Sequence, residues 1–301
     1  MTRLAFMIVD VFTQSRFGGN SLAVVFDAQG LDPQTMQRIA REFNFSETTF
    51  ILPPERGGDR RVRIFTPRSE LPFAGHPNIG SAFALATSGA LGSLDAPRTL
   101  VLEQPAGDVS IALTPRTNGQ LHCELTAPQR LNVGATVDPR DVAAALSLNT
   151  ADIATRVHPP RLVSVGLGFV IAALETPQAL AAAKVSTEPM TWLARSSGCP
   201  YLYVYAADPR AEVDFSARMF APLDGMPEDP ATGGASAALG ALLASVDQSP
   251  KVLHRWRIAQ GEAMGRPSLI EVAVDKRDGA VHAVRVGGHS VRVADGTLDL
   301  T

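Results

Sequence analysis

One stretch of this chain occurs twice. Arg63, Phe65, Pro67, Pro72, Ser81 and Ala82 recur at the same spacing as Arg218, Phe220, Pro222, Pro227, Ser236 and Ala237. Each copy reads as a short strand, a loop punctuated by proline, and a helix opened by glycine and small residues. The displacement is 155 residues in a chain of 301. A period of half the chain describes two similar halves, not a solenoid. Two facing copies of such a helix start would make one cleft between them.

The two repeated helices constrain the fold further. Pro77–Ala90 and Gly233–Val246 are apolar or small around the whole circumference and carry no charge. A helix without a polar face belongs inside a core. The surrounding sequence is mostly short strands, so the expected fold is α+β. Each half should be a barrel-like, strongly curved β-sheet wrapped around a central buried helix. Strand patterns fall at Leu4–Val11, Leu22–Phe26, Thr48–Leu52, Val62–Phe65, Leu100–Glu103, Val109–Leu113 and Leu121–Leu125. They continue at Leu162–Val165, Phe169–Ala172, Tyr201–Ala206, Phe215–Phe220, Trp256–Gln260, Ser268–Val274, Val281–Val286 and Ser290–Val293. Asp32 as cap and Pro33 in the first turn predict a helix over Gln34–Phe43. Shorter helices are expected near Pro139–Leu146, Thr176–Ala183 and Thr191–Ser196. The turn residues Pro115–Gly119 mark the expected boundary. Residues 1–117 with a returning C-terminal strand, 287–301, would form the first half, and 118–286 the second.

Composition excludes several functions. The formal net charge is −3 and the 27 Lys and Arg are dispersed, without the basic stripe of a nucleic-acid binder. The one Arg-dense run, Arg60-Arg61 with Arg63, reads as a solvated strand face. No stretch approaches the ~20 apolar residues that span a bilayer, so no membrane partner is expected. The first apolar stretch is a strand too short for a signal peptide, which makes the cytoplasm the expected compartment. Cys123 and Cys199 show neither metal-ligand nor disulfide spacing, and the six histidines form no i, i+4 pattern with acids. Val165-Gly166-Leu167-Gly168-Phe169 lacks the third glycine of a dinucleotide fingerprint and reads as a strand turn. There is no P-loop, and Ser236 has no G-x-S-x-G context.

Three constellations carry possible chemistry. In Phe73-Ala74-Gly75-His76-Pro77, a helix start offers unpaired N–H groups to a carboxylate or phosphate. Gly75 lets a ligand approach the backbone, and the positive end of the helix disfavours a charged His76. The plainer reading is a histidine that caps and packs. In Glu228-Asp229-Pro230-Ala231-Thr232-Gly233-Gly234, Thr232 is a plausible N-cap and Gly233-Gly234 exposes donors. Asp229 could carry or orient a proton, or simply serve a turn. In Ser46-Glu47-Thr48-Thr49, Glu47 shares an alternating face with Thr49 and Ile51. On an apolar face its pKa would be raised, which suits reversible proton transfer. By itself it could equally be an exposed strand-start residue.

Taken together, these motifs resemble the PhzF-like phenazine-biosynthesis family within the diaminopimelate epimerase superfold. The resemblance also rests on Val9-Asp10-Val11-Phe12, Gly18-Gly19-Asn20-Ser21-Leu22-Ala23-Val24, Gln260–Ser268 and Val286-Gly287-Gly288, so it spans nearly the whole chain. It implies two barrel-like halves with the active site between them, a homodimer, and no cofactor or metal. It implies a cofactor-independent isomerase that moves a proton by acid/base catalysis on a small carboxylated cyclic substrate, as with trans-2,3-dihydro-3-hydroxyanthranilate. By the resemblance Glu47 is the proton carrier, with His76 and Asp229 as catalytic partners. Asn20, Gly75, Thr232, Gly233 and Gly234 would bind the substrate. The chain departs from the family pattern at Gly234, where Ser is common, at Asn78 for Thr, and at Ser21 for Pro. A lost neutral donor is worth roughly 0.5–1.5 kcal/mol, so the substrate itself could differ. Racemases of the superfold that use two thiols need Cys at both helix starts, which hold Gly75-His76 and Gly233-Gly234 here. An acid/base enzyme acting on an unrelated metabolite, or a non-catalytic binder of small anions, are the alternatives the residues leave.

Overall fold

A computed structural model describes residues 3–117 and 119–300. The chain divides into two compact units, Met1–Thr126 with Gly287–Thr301, and Ala127–Val286. The first begins with β1 (Arg3–Val11), β2 (Asn20–Val25), α1 (Pro33–Phe43), β3 (Glu47–Leu52), β4 (Arg60–Phe65) and β5 (Glu70–Leu71). It continues with α2 (Gly75–Thr87), β6 (Arg98–Gln104), β7 (Gly107–Pro115) and β8 (Leu121–Thr126). The second unit runs through β9 (Asn132–Thr136), α3 (Pro139–Ala145), β10 (Ile153–Ala154), β11 (Arg161–Ser164), β12 (Gly168–Leu174) and α4 (Pro177–Ala182). Then come α5 (Thr187–Ser197), β13 (Leu202–Ala207), β14 (Phe215–Ala221), β15 (Met226–Asp229) and α6 (Gly233–Val246). β16 (Leu253–Gln260), β17 (Ser268–Arg277) and β18 (Ala280–Asp299) complete the chain.

In the first unit the strands close on themselves. β1 pairs antiparallel with β2, β2 parallel with β3, β3 antiparallel with β4, and β4 parallel with β6. β6, β7 and β8 follow as an antiparallel meander. β18 then pairs with β8 and with β1, which completes the circuit. Inside it lies α2, with every residue from His76 to Leu85 buried. Close packing explains the small residues. A Cβ on Gly80 would sit 2.6 Å from Leu22 Cδ2 and 2.8 Å from Val11 Cγ2. The Ser81 hydroxyl donates to Thr49 Oγ1 of β3 at 2.9 Å, so its one polar group is satisfied inside the barrel. α1 is different: its apolar stripe, Met36, Ile39 and Ala40, packs on Leu4, Val25, Phe50 and Phe65. Asp32 caps it by accepting from Thr35 N at 2.9 Å, as the sequence indicates.

The second unit uses the same parts. β9, β11, β12, β13, β14, β16 and β17 pair in succession, with the β12–β13 and β14–β16 pairs parallel. α6 packs on β11, β12, β16 and β17. A Cβ on Gly240 would lie 2.6 Å from Val272 Cγ1. Ser236 Oγ is 2.8 Å from the Tyr203 hydroxyl of β13. A second core on the sheet's other side joins Val142, Leu146, Leu180, Met190 and Leu193 to Val170, Leu174, Leu202 and Val204.

The repeated residues have a physical basis. Arg63 binds both carboxylate oxygens of Glu70 at 2.7 Å and lies over the Phe65 ring. Arg218 binds both oxygens of Glu228, at 2.9 and 2.8 Å, and lies over Phe220. Bidentate Arg–carboxylate geometry needs both partners in place, which is why Arg and Phe recur at fixed spacing. The Arg60-Arg61-Arg63 run is therefore not a solvated face: Arg63 is only 14% exposed and Arg61 pairs with Glu55.

Several expected boundaries move. The 115–119 turn, whose Asn118 lies outside the described residues, joins two paired strands of the first barrel, β7 and β8. The division therefore falls at Thr126/Ala127, not after Thr117. Val281–Val286 and Ser290–Val293 belong to one strand, β18. Gly287 does not break it; a Cβ there would lie 2.6 Å from the Cys123 carbonyl oxygen, so the glycine permits close approach. α2 begins at Gly75 and ends at Thr87, earlier at both ends than Pro77–Ala90, and α5 begins at Thr187 rather than Thr191. Among the described residues no helix is long and apolar enough to cross a membrane.

The central glycines provide a direct test of this packing. Gly80→Ala and Gly240→Ala each place a methyl into occupied space, and the overpacking should cost about 1–3 kcal/mol. Urea midpoints should fall for both, although alanine is the better helix former.

Candidate active site

In the first unit, three expected residues meet at the start of α2. Glu47 is the first residue of β3 and lies opposite Leu22 of β2. His76 is the second residue of α2, so it is part of the helix's first turn and does not precede it. Its Nε2 lies 3.2 Å from Glu47 Oε2, with the two side chains 7% and 14% exposed. Asn20, the first residue of β2, places Nδ2 3.4 Å from His76 Nδ1. Burial pushes the His76 pKa down to about 3, so the imidazole is neutral across the physiological range. The sequence argument gave the helix dipole as the cause; the structure gives desolvation.

The helix start beside this pair carries no side-chain cap. Ala74 occupies the N-cap in an extended conformation and offers no acceptor, and Gly75 is the first helical residue. Asn78 acts within the same turn, donating to the Ala74 carbonyl at 2.8 Å and pairing with Gln104 at the end of β6. The residue standing in place of the usual Thr thus braces the helix start.

In the second unit, Asp229 ends β15 and is 5% exposed. Thr232 occupies the N-cap of α6 but does not cap it: its hydroxyl donates to Asp229 Oδ2 instead. Gln260, at the end of β16, accepts from Thr232 N at 3.1 Å. It also donates to the Asp229 carbonyl at 2.8 Å and to Thr232 Oγ1 at 3.0 Å. Gly233 and Gly234 open the helix. A Cβ on Gly234 would meet only the Phe169 ring, at 3.6 Å, an ordinary contact, so a serine side chain has room there. Burial and the nearby Asp229 charge raise the Tyr203 pKa and keep that hydroxyl protonated.

Sequence reading overlooked Gln104 and gave Asp10, part of the Val9–Phe12 motif, no role of its own. Gln104 does for Asn78 what Gln260 does for Thr232, and the repeat places them one residue out of register, a detectable signal. Asp10 is buried, accepting from Phe17 N at 2.7 Å and from Ser21 Oγ at 3.1 Å, which ties down the β1–β2 loop ahead of Asn20. Cys123 and Cys199 are both buried, and burial raises both thiol pKa values. Neither belongs to a helix start. Among the described residues no group of three or more His, Cys, Asp or Glu is placed to hold a metal ion.

Comparison with known proteins identifies one family. The phenazine biosynthesis-like protein family, PhzC-PhzF, matches residues 9–296. An uncharacterized isomerase of Mesorhizobium japonicum is 38% identical, with 97% of this chain and 98% of that protein covered. The trans-2,3-dihydro-3-hydroxyanthranilate isomerase of Pseudomonas aeruginosa is 35% identical, over 97% of this chain and 98% of its own. The crystal structure of a Bacillus anthracis phenazine biosynthesis protein of the PhzF family superposes with a TM-score of 0.90, at 25% identity and full coverage of both chains.

The neutral burial of His76 makes stability depend on pH. Its pKa falls from 6.5 to about 3 on folding, so between those values the unfolded chain binds the extra proton. The stabilisation is complete above 6.5 and is lost as pH falls toward 3. Urea midpoints measured across that range should decline on acidification, and less steeply in His76→Gln.

Proposed function

Because the chain belongs to the phenazine biosynthesis-like family and is an isomerase, we propose that Glu47 moves a proton between carbons of a small carboxylated, cyclic, unsaturated substrate. The substrate is of the trans-2,3-dihydro-3-hydroxyanthranilate type, the compound for which the Pseudomonas relative is named. The observation that carries this reading is the buried contact between Glu47 Oε2 and His76 Nε2 at the uncapped start of α2. A carboxylate there is within reach of a ligand held by the helix-start N–H groups, which favour a substrate carboxylate.

The chemistry follows from the groups present. The Glu47 carboxylate takes a proton from a ring carbon, and the C–H electron pair passes into the adjoining double bonds. The same carboxyl then returns the proton to a second carbon, so nothing is consumed. A neutral His76 with a pKa near 3 does not compete for the travelling proton. Asp229, bonded by the Thr232 hydroxyl at the start of α6, is the second carboxylate to which the family resemblance gives a catalytic role. Gly234 in place of the family's usual serine leaves the start of α6 with one hydroxyl fewer.

Glu47→Gln keeps size and hydrogen bonding but removes the proton carrier. With trans-2,3-dihydro-3-hydroxyanthranilate as substrate, turnover should fall ~10²–10⁴-fold while binding changes little. Turnover close to wild type on a bound substrate would remove Glu47 from the mechanism. The Gly234 departure has its own test. Gly234→Ser should fold normally and lower KM for a carboxylated substrate by roughly 2–10-fold, the equivalent of one neutral donor.

A further inference from the structure

We infer that Gln260 is a positioning residue that keeps the Thr232 hydroxyl from capping α6, so that the backbone N–H groups of this helix start stay available to an anionic substrate. The consequence for substrate binding rests on the start of α6 holding part of that substrate; the state of the cap does not.

Thr176 shows what a threonine at this position ordinarily does. It stands at the N-cap of α4 with ψ 154° and accepts from Ala179 N at 3.1 Å. Thr232 stands at the N-cap of α6 with ψ 84° and accepts nothing from its own helix. A threonine oxygen within reach of the N3 amide normally takes that bond, so Thr232 is held away from it.

Gln260 holds it at two atoms. Oε1 accepts from Thr232 N at 3.1 Å, and Nε2 donates to Thr232 Oγ1 at 3.0 Å. The amide cannot be reversed. Nε2 also donates to the Asp229 carbonyl at 2.8 Å, and exchanging nitrogen and oxygen would set acceptor against acceptor there and donor against donor at Thr232 N. The Thr232 hydroxyl therefore accepts from Gln260, and its single proton goes to Asp229 Oδ2. A bond to Asp229 alone would use only the donor side of the hydroxyl. Gln260 engages the acceptor side and fixes the backbone N–H as well.

Gln260 is itself held for this task. It is 1% exposed and ends β16 opposite Ser268. Gly261 follows with φ +77°, and a Cβ there would lie 2.5 Å from the Pro230 carbonyl oxygen. Ser268 Oγ donates to that same carbonyl at 3.0 Å. The strand end is thus packed directly against the turn that leads into α6. The first unit leaves its helix start uncapped by composition instead, because Ala74 at the N-cap of α2 has no side-chain oxygen. An alanine at position 232 should then make the glutamine unnecessary, which supplies a rescue.

Gln260→Met, made in the full chain, removes these bonds at similar side-chain length. Thr232 Oγ1 should then bond Ala235 N, visible in a crystal structure of the variant and as a moved Ala235 amide signal in nitrogen-15 NMR. KM for trans-2,3-dihydro-3-hydroxyanthranilate should rise roughly 3–10-fold, the equivalent of one cap-strength bond, with a smaller change in kcat. Adding Thr232→Ala removes the competing oxygen and should return KM to near that of Thr232→Ala alone. A general loss of stability would not be repaired by a second truncation. If Gln260→Met does not fold, Gln260→Glu keeps an acceptor for Thr232 N, removes the donor to Oγ1, and should form the same cap. A Thr232 hydroxyl still away from Ala235 N in whichever variant folds overturns the role of Gln260. A cap that forms with wild-type KM, or a double variant whose KM stays as high as that of the Gln260 variant, overturns the link to binding. Failure of the underlying reading would look different: the Gly234 and Ala235 amide signals of the wild type would not move on adding substrate, whatever Thr232 does in the variants.

Discussion

The burial of an uncharged helix inside a ring of strands is the constraint on which the rest depends. Once α2 is enclosed, its side chains must be small, and any polar atom must find a partner within the barrel. Gly80 and Gly240 allow the strands to come close, while Ser81 with Thr49 and Ser236 with Tyr203 each supply a polar link from the middle of a helix to its wall. A helix held this way has its first turn fixed in position, and that turn is where the unpaired backbone donors lie. The candidate site is therefore a consequence of the core, built at the end of the helix whose backbone N–H groups have no partner within the helix.

Neither helix start spends those donors on a side-chain cap. Ala74 has nothing to offer, and Thr232 turns its hydroxyl to Asp229. A strand-end glutamine braces each start instead, Gln104 through Asn78 and Gln260 through Thr232. A rigid turn with unused donors is what recognition of an anionic substrate requires, since no reorganisation is needed when the ligand arrives. The same rigidity keeps Glu47 and His76 in contact at low exposure. Desolvation there holds the imidazole neutral, which separates the roles of two adjacent titratable groups.

The repeat shows how one frame can carry different residues at its two helix starts. The Arg63–Glu70 and Arg218–Glu228 pairs, each over a phenylalanine, preserve the strand–loop–helix geometry in both units. Beyond that frame the residues diverge. The first unit has a glutamate and a neutral histidine at its helix start; the second has an aspartate held by a threonine hydroxyl. Packing demands were kept twice, whereas the chemistry was free to differ.

Much of this was legible in the sequence because it concerns local pattern. The uncharged circumference of 77–90 and 233–246 required burial, the alternating apolar segments required strands, and Asp32-Pro33 marked the start of α1. The recurring Arg, Phe and Pro positions gave the two units. Glu47, His76 and Asp229 stood out only together, through motifs spread over the chain. Tertiary structure decided the rest, since it depends on which strands become neighbours. β7 and β8 pair, so a turn that resembled a domain boundary lies within the first unit. Gly287 faces the Cys123 carbonyl, so a glycine pair that resembled a break runs through one strand. Arg63 finds Glu70, so a residue that resembled a solvated charge is half-buried and paired. Thr232 prefers a carboxylate to its own helix, and Asn20, expected to bind the substrate, lies against His76. Local propensity is worth a few tenths of a kcal/mol to about one, and strand pairing, close packing or a charge-assisted bond outweighs it.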